Sequence, residues 1–103
     1  MGKLGYRYWI VNGFDIDGVI HLGDGICGIR PGPKDIIITG RSYEEEPETK
    51  AFLLKHGIKN KVYFNPLPFD KKGRESSGIH KANTLKFLKH EEGIIVQFFF
   101  EDD

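Results

Sequence analysis

Acidic, hydroxyl and basic residues follow three apolar runs of the chain or lie within a helical segment, and together they suit phosphoryl-transfer chemistry. These residues are Asp15 and Asp17, Thr39 with Gly40 and Arg41, Lys81, and Asp102 with Asp103. Carboxylates brought together raise one another's pKa values, and a hard divalent cation removes that conflict. Oxygen ligands without a His or Cys cluster favour Mg²⁺ over zinc. The sequence therefore predicts a magnesium site.

The same residue types could carry out a reaction at phosphorus. A lysine and a hydroxyl beside Mg²⁺ are the groups expected to hold a phosphoryl group. A carboxylate can attack phosphorus and form an aspartyl-phosphate. A second acid two residues further along, as Asp17 is from Asp15, could protonate the leaving oxygen and then activate water. The predicted chemistry requires a fold that brings these residues together.

The apolar pattern predicts strands that alternate with helices. Short apolar runs predict strands at 8–11, 35–39, 61–64 and 94–100. Helices are predicted over 42–56 and from a Ser76 or Ser77 cap to about Glu91, with the apolar stripe of the second at Ile79, Ala82, Leu85 and Leu88. Gly57 and Gly93 are predicted to end them. This order predicts an α/β domain with a parallel sheet, whose polar residues converge at the carboxyl ends of the strands.

The dipeptide Asn12-Gly13 allows a different interpretation of the first strand. Asn-Gly between apolar residues is typical of a hairpin, which would pair 8–11 with 14–20. We favour the parallel sheet because a hairpin leaves the acids within 14–20 unexplained, and Gly13 can equally allow close packing late in a strand. The glycine-rich segment 19–29 is predicted to form a hairpin or flap.

Length and composition narrow the class of protein. A chain of 103 residues suffices for one domain, and we expect a single domain over 1–103. With 39% hydrophobic and 29% charged residues, the composition is typical of a soluble globular protein rather than a disordered one. No apolar run reaches the roughly 18 residues of a membrane helix, so no membrane partner is expected. Cys27 is the single cysteine, and a reducing cytoplasm is the expected location.

The formal net charge is zero, yet the charges are unevenly distributed. Between Lys50 and His90 there are ten Lys or Arg residues and two acids, whereas 91–103 holds five acids and no base. A basic segment of this kind would suit a polyanionic partner such as a nucleic-acid end. The alternative interpretation is that these lysines only solvate two helix faces.

The residues described so far resemble the four motifs of the haloacid dehalogenase superfamily. Phe14-Asp15-Ile16-Asp17-Gly18 resembles motif I, the segment 36–41 resembles motif II, Lys81 looks like motif III, and 98–103 resembles motif IV. The match covers residues 8–103 with the motifs in order. Thr39-Gly40-Arg41-Ser42 and the helix after it also resemble the phosphatase part of polynucleotide 3′-phosphatases.

The resemblance implies a role for each acid. Asp15 would be the nucleophile and a Mg²⁺ ligand. Asp17 would be the general acid and base, with its backbone carbonyl also on Mg²⁺. Asp102 would complete the metal site, with Asp103 a ligand through water or a substitute.

The resemblance also implies which residues hold the substrate. Thr39 and Lys81 would bind the transferring phosphoryl group, and Gly40 and Arg41 would contact the rest of the substrate. The implied activity is Mg²⁺-dependent phosphomonoester hydrolysis through an aspartyl-phosphate, on a phosphorylated small molecule or a nucleic-acid end. The alternative is a non-catalytic module that binds metal or phosphate. Phosphotransfer would use the same residues, and the sequence does not separate it from hydrolysis.

The resemblance implies a Rossmann-like core with a flap after the first strand and no cap domain. We expect a parallel sheet of about four strands ordered 3-2-1-4. Residues 18–35 are too few and too rich in Gly and Pro for the helix that the family usually has there. A sheet this small leaves apolar surface poorly covered, so we expect a homo-oligomer formed through the exposed face or edge.

Overall fold

The computed structural model describes residues 8–68, 70, 71 and 74–101, with Arg74 described by its backbone alone. Over these residues the chain forms an α/β fold with one four-stranded sheet and two α-helices. The strands are β1 (Trp9–Phe14), β2 (Ile36–Ser42), β3 (Val62–Asn65) and β4 (Ile94–Phe100), and the helices are α1 (Glu46–Lys55) and α2 (Arg74–Phe87). A 3₁₀ turn (Tyr43–Glu45) precedes α1, and a π-helical turn (Leu88–Glu92) follows α2. Neither α-helix has the length and apolar composition of a membrane span.

The sheet is parallel throughout, with the order β3-β2-β1-β4, so the predicted class and strand order are confirmed. Phe14, the last residue of β1, lies beside Ile37 of β2 and Phe100 of β4. The backbone N–H of Asp15 donates to the carbonyl of Phe100 at 2.9 Å. The chain therefore leaves β1 between two neighbouring strands, which is where ligands gather in parallel sheets.

The bounds of the first two strands differ from those predicted. Asn12 and Gly13 lie inside β1 and pair with β4, so the hairpin alternative is wrong. A Cβ at Gly13 would lie 2.6 Å from Cδ1 of Phe99, which confirms close packing as the reason for this glycine. β2 continues through Ser42 instead of ending at Thr39, because its last residues pair with β3 at Asn65.

Alternate residues of β2 pack on opposite faces of the sheet. Ile37 joins a cluster with Phe14, Ile16 and Ile20, which α1 covers through Leu53. Ile36 and Ile38 form a second cluster with Leu88, against half-buried residues of β1, β3 and β4. Burial on both faces explains why the run 36–38 is continuously apolar rather than alternating.

The predicted apolar stripe of the second helix is wrong. Ile79, Ala82 and Leu85 are exposed, and only Leu88 of the four is buried. The buried side of α2 is polar, with His80 and Thr84 ahead of Leu88.

Hydrogen bonds satisfy the two polar residues on this side. His80 Nε2 lies 3.1 Å from the carbonyl of Tyr63, and the Thr84 hydroxyl donates to the carbonyl of His80 at 2.8 Å. Since a carbonyl only accepts, Nε2 carries the hydrogen. These bonds allow polar residues to occupy the buried side of α2, which is a different face from the one that periodicity predicted.

The predicted ends of the helices are partly right. Gly57 and Gly93 have φ of 73° and 69° just beyond their helices, as predicted for left-handed stops. α2 begins at Arg74, so neither Ser76 nor Ser77 is its cap. The first helical segment divides into a 3₁₀ turn and α1, with Glu45 accepting from the backbone and hydroxyl of Ser42.

The segment after β1 folds back on itself as the predicted flap. Backbone hydrogen bonds join Leu22 to Ile26, Ile20 to Gly28 and Val19 to Ile29. The turn between the two arms contains three consecutive residues, 23–25, with positive φ. Left-handed conformations in succession need glycine at most positions, which accounts for the glycine content here.

Candidate active site

Three charged side chains meet where β1 and β4 end. Lys81 Nζ lies 3.2 Å from Asp15 Oδ2 and 2.6 Å from Glu101 Oε1. The Asp15 and Lys81 side chains are 18% and 17% exposed, so both are largely withdrawn from water while still reachable from it. A carboxylate, a cation and a second carboxylate therefore share one partly desolvated location.

The backbone fixes Asp15 in this cluster. Its N–H is bonded to β4, and its Oδ1 accepts from the N–H of Ile16 at 2.7 Å. Lys81 reaches Oδ2 from α2, and its Nζ also lies 5.1 Å from the centre of the Phe99 ring. Both oxygens of Asp15 are thus oriented by fixed partners, as a positioned nucleophile requires.

Burial and neighbouring charges have opposite effects on the pKa values of Asp15 and Lys81. Burial raises the pKa of the Asp15 carboxyl, and the opposing effects of Lys81 and the Ile16 N–H do not cancel it, so that pKa is above its ordinary value. For Lys81, burial lowers the pKa, but Glu101 and Asp15 outweigh it and hold the pKa above its ordinary value. Lys81 therefore stays protonated and positively charged, whereas burial disfavours the ionised form of the Asp15 carboxyl beside it.

A second ion pair joins the flap to the sheet. Arg41 of β2 donates to both oxygens of Asp17, from Nη2 at 2.7 Å and from Nε at 3.0 Å. Its Nη1 donates to the hydroxyl of Thr49 on α1 at 3.0 Å. The hydrogen bonds to Asp17 raise the pKa of the Arg41 guanidinium. The arginine side chain is 16% exposed and that of Asp17 is 62% exposed, so a partly buried arginine holds an exposed carboxylate.

Thr39 and Gly40 occupy packed positions in β2. Thr39 is fully buried, and its hydroxyl accepts from the N–H of Arg41 at 3.1 Å. A Cβ on Gly40 would overlap Oγ of Ser77, so this glycine lets α2 approach β2 closely. Thr39 therefore stabilises the backbone at Arg41, and Gly40 leaves space for α2.

No family model, curated protein or solved structure matches the chain significantly.

The acids predicted as metal ligands are only partly within the described residues. Asp15 and Asp17 are described, whereas Asp102 and Asp103 lie outside the described residues. Within 8–68, 70–71 and 74–101, no group of three or more His, Cys, Asp or Glu residues could hold a metal ion. The carboxylates that the described residues bring together here are those of Asp15 and Glu101, both in contact with Lys81.

Two contacts of this site were not predicted from the sequence. Glu101, which was not predicted as a site residue, contacts Lys81. Its position directly after β4 was a usable signal, because an acid at a strand end is where such contacts form. Thr49, which accepts from Arg41, carried no such signal, because its role depends on how α1 packs against β2.

Proposed function

We propose that this protein is a Mg²⁺-dependent phosphomonoester hydrolase of the haloacid dehalogenase type, with a Rossmann-like core and Asp15 as its nucleophile. The observation that carries the proposal is the contact of Lys81 with Asp15 at the end of the central strand. The Asp15 carboxylate is held in one position and is suited to attack a phosphoryl group, because the Lys81 ammonium beside it offsets the negative charge of that group.

The proposed reaction has two steps. An oxygen of Asp15 attacks phosphorus, the bond from phosphorus to the leaving oxygen breaks, and the side chain becomes an aspartyl-phosphate. Asp17, with one oxygen still bonded to Arg41 and the other released to carry a proton, donates that proton to the leaving oxygen. Asp17 then takes a proton from water, the water oxygen attacks phosphorus, and the phosphorus–oxygen bond to Asp15 breaks. Phosphate is released, and Asp15 and Asp17 return to their starting states.

Lys81 would act in both steps. Its ammonium group can contact an oxygen of the phosphoryl group while that group carries its greatest negative charge. Moving from Asp15 to the phosphoryl oxygen would also release the carboxylate for attack. Glu101, at 2.6 Å, would keep the lysine in place during this exchange.

The oxygen donors of the described residues fit Mg²⁺. This ion commonly keeps several waters and binds one or two carboxylates together with substrate phosphate, so a large all-protein cage is not required. Asp15 and the backbone carbonyl of Asp17 would hold it, and Asp102, with Asp103 as a ligand through water or a substitute, would complete the site. The bound ion would supply further neutralisation of phosphoryl charge.

Several features bear on the substrate and setting. The Asp17 side chain is 62% exposed, which leaves room for a phosphorylated small molecule or a nucleic-acid end. Gly40 and Arg41 would contact that substrate only if the contacts described above rearrange. The single cysteine supports a reducing cytoplasm as the location.

A phosphatase screen with Mg²⁺ and with a chelator tests the proposal. The panel would contain an aryl phosphate, nucleotides, and oligonucleotides phosphorylated at the 3′ or the 5′ end. We expect phosphate release from at least one substrate with Mg²⁺ and none with chelator. Inertness throughout, together with measurable Mg²⁺ or phosphate binding, would instead support the non-catalytic module.

Because Arg41 donates to both oxygens of Asp17, we expect Arg41→Lys to lower kcat by a larger factor than it raises KM. Lysine keeps the positive charge but cannot hold both oxygens of Asp17 and Thr49 at once. Losing one charge-assisted hydrogen bond that orients the acid corresponds to roughly a tenfold to hundredfold loss. Steady-state kinetics would measure the split, with Arg30→Lys in the flap arm as the control. A rise in KM alone would mean that Arg41 contacts substrate rather than positioning Asp17.

We also propose that the protein forms homo-oligomers. Ile10 and Phe98 are 64% and 59% exposed. The pairing of β1 with β4 places both on the same face of the sheet as Phe100. An apolar face of this kind favours association. Light scattering at micromolar concentration is expected to show more than one copy, and a monomer would contradict the proposal.

A further inference from the structure

A groove of about 410 Å³ lies along β3, on the side of the sheet away from β1. Its walls are the C-terminal half of α1 and the segment that leads into β3. None of the residues that line it belongs to the ion pairs of the candidate active site. We refer to it as the lysine groove, after its lining residues Lys50, Lys59 and Lys61.

The floor of the lysine groove is aliphatic. Leu53 and Ile58 are buried beneath it, Val62 is half-buried, and Leu54 is 63% exposed at its side. An aliphatic floor is suited to branched side chains of a ligand. It offers little for a nucleic acid, whose bases bind proteins mainly by stacking on aromatic rings.

The rim of the groove is basic. Among the described residues that line it, the charged ones are three lysines, with no acid. Lys50 contacts Glu46 at 3.0 Å on the helix surface, and Lys61 Nζ lies 5.2 Å from the centre of the Tyr63 ring. All three lysines are exposed, so their side chains can turn toward a ligand in the groove. Lysines at a sheet edge deter pairing with another copy of the same edge. The same charges attract an acidic partner.

The backbone beside the groove is oriented for a partner strand. The N–H of Ile37 in β2 donates to the carbonyl of Lys61 at 2.9 Å. Because main-chain groups alternate along a strand, the N–H and C=O of Val62 point away from β2. β3 ends one side of the sheet formed by the described residues, so no described strand pairs with these groups, and Val62 is one of the residues that line the groove.

The segment that carries the lysines is held rigidly before any partner arrives. The side-chain amide of Asn60 donates to the carbonyls of Gly32 and Asp35, at 2.6 and 2.8 Å. Asn60 is therefore turned into the protein between two lysines that face outward. A pre-formed site of this kind spends little binding energy on ordering itself.

From these features we infer that the lysine groove binds an extended acidic peptide of a partner protein. Aliphatic residues of that peptide would contact the floor, its Asp or Glu residues would pair with Lys59 and Lys61, and its backbone would bond to Val62. This is recognition by strand addition, in which backbone bonds give affinity and side-chain pockets give selectivity. The inference does not depend on the proposed hydrolysis.

Selection from a phage-displayed library of random peptides, with the whole protein immobilised, tests the inference. We expect the recovered peptides to combine acidic with aliphatic residues. A synthetic copy should bind roughly tenfold more weakly to the double variant Lys59→Glu/Lys61→Glu, because two attractions become repulsions. Leu54→Ser should also weaken it, whereas Lys86→Glu/Lys89→Glu, which makes the same charge change elsewhere, should not.

Three results would overturn the inference. One is recovery of no peptide, or of peptides without acidic residues. Another is binding that the groove variants leave unchanged while circular dichroism shows them folded. The third is preferential binding of an oligothymidylate probe that is lost in the Lys59→Glu/Lys61→Glu variant, which would make the groove a nucleic-acid site.

Discussion

Asp15→Asn is expected to reduce phosphate release by a factor on the order of 10⁴ or more, because the amide cannot form the covalent intermediate. The substitution keeps the size of the side chain and can still accept from the N–H of Ile16. Single-turnover and steady-state assays on the best substrate of the screen would measure the loss. Substrate binding should persist, since Lys81 remains in place.

Asp24→Asn provides a matched control for this variant. Asp24 is exposed in the turn of the flap and has a φ of 52°, a conformation that asparagine adopts readily. Its replacement removes one carboxylate and should leave the rate unchanged. Activity in Asp15→Asn close to that of Asp24→Asn would show that another residue is the nucleophile.

The same Asp15→Asn variant should be at least as stable as the wild type at neutral pH. Burial raises the pKa of Asp15 despite Lys81, so the folded protein binds this proton more tightly than the unfolded chain does. The stabilising contribution of the group is therefore full below its unfolded pKa and is lost as the pH rises through the raised value. Urea denaturation at several pH values would measure the free energy of unfolding. In the wild type we expect the part due to Asp15 to fall as the pH rises, and in the Asp15→Asn variant we expect no such fall.

Lys81→Met is expected to lower kcat/KM by about 10²–10³, the usual loss when one group that stabilises developing charge is removed. Methionine retains much of the length and apolar contact of the side chain and removes only its charge. The Lys86→Met variant, on the exposed side of α2, is the control for helix and charge effects. Kinetics on a minimal aryl phosphate would measure the effect, because such a substrate has few other contacts.

Lys81→Met should also lower stability, in contrast to Asp15→Asn. It leaves the largely desolvated carboxylate of Asp15 without its cation, and Glu101 loses the same partner. A variant that keeps full activity would exclude Lys81 from phosphoryl binding. A variant that is inactive but binds phosphate as the wild type does would place the role of Lys81 in orienting Asp15.

The order of elements could be predicted because local signals agree with the fold. The runs 36–38 and 94–96 are buried or half-buried, and such runs are typical of parallel strands. Gly57 and Gly93 end their helical segments because they adopt positive φ. Asp15 and Lys81 were both predicted, and the parallel sheet accounts for their contact.

The remaining details depend on tertiary contacts that leave little trace in the sequence. The polar buried side of α2 follows from the bond between His80 and the carbonyl of Tyr63, which periodicity cannot reveal. Arg41 was expected to contact substrate, and its contacts with Asp17 and Thr49 depend on β2 extending to Ser42. The metal ligands Asp102 and Asp103, which lie outside the described residues, stay predictions.

The pairing of β1 with β4 has a consequence for how the protein is made. Trp9 lies beside Ile94 and Phe14 beside Phe100, so β1 pairs with the strand that is made last among the four described strands. Contacts between such distant segments form slowly. During synthesis, the backbone groups on the edge of β1 that will pair with β4 therefore stay unpaired until β4 has been made. Since Asp15 is fixed by its bond to Phe100, the proposed nucleophile would reach its working position only once β4 has paired with β1. The time at which activity appears would then report when β4 pairs with β1.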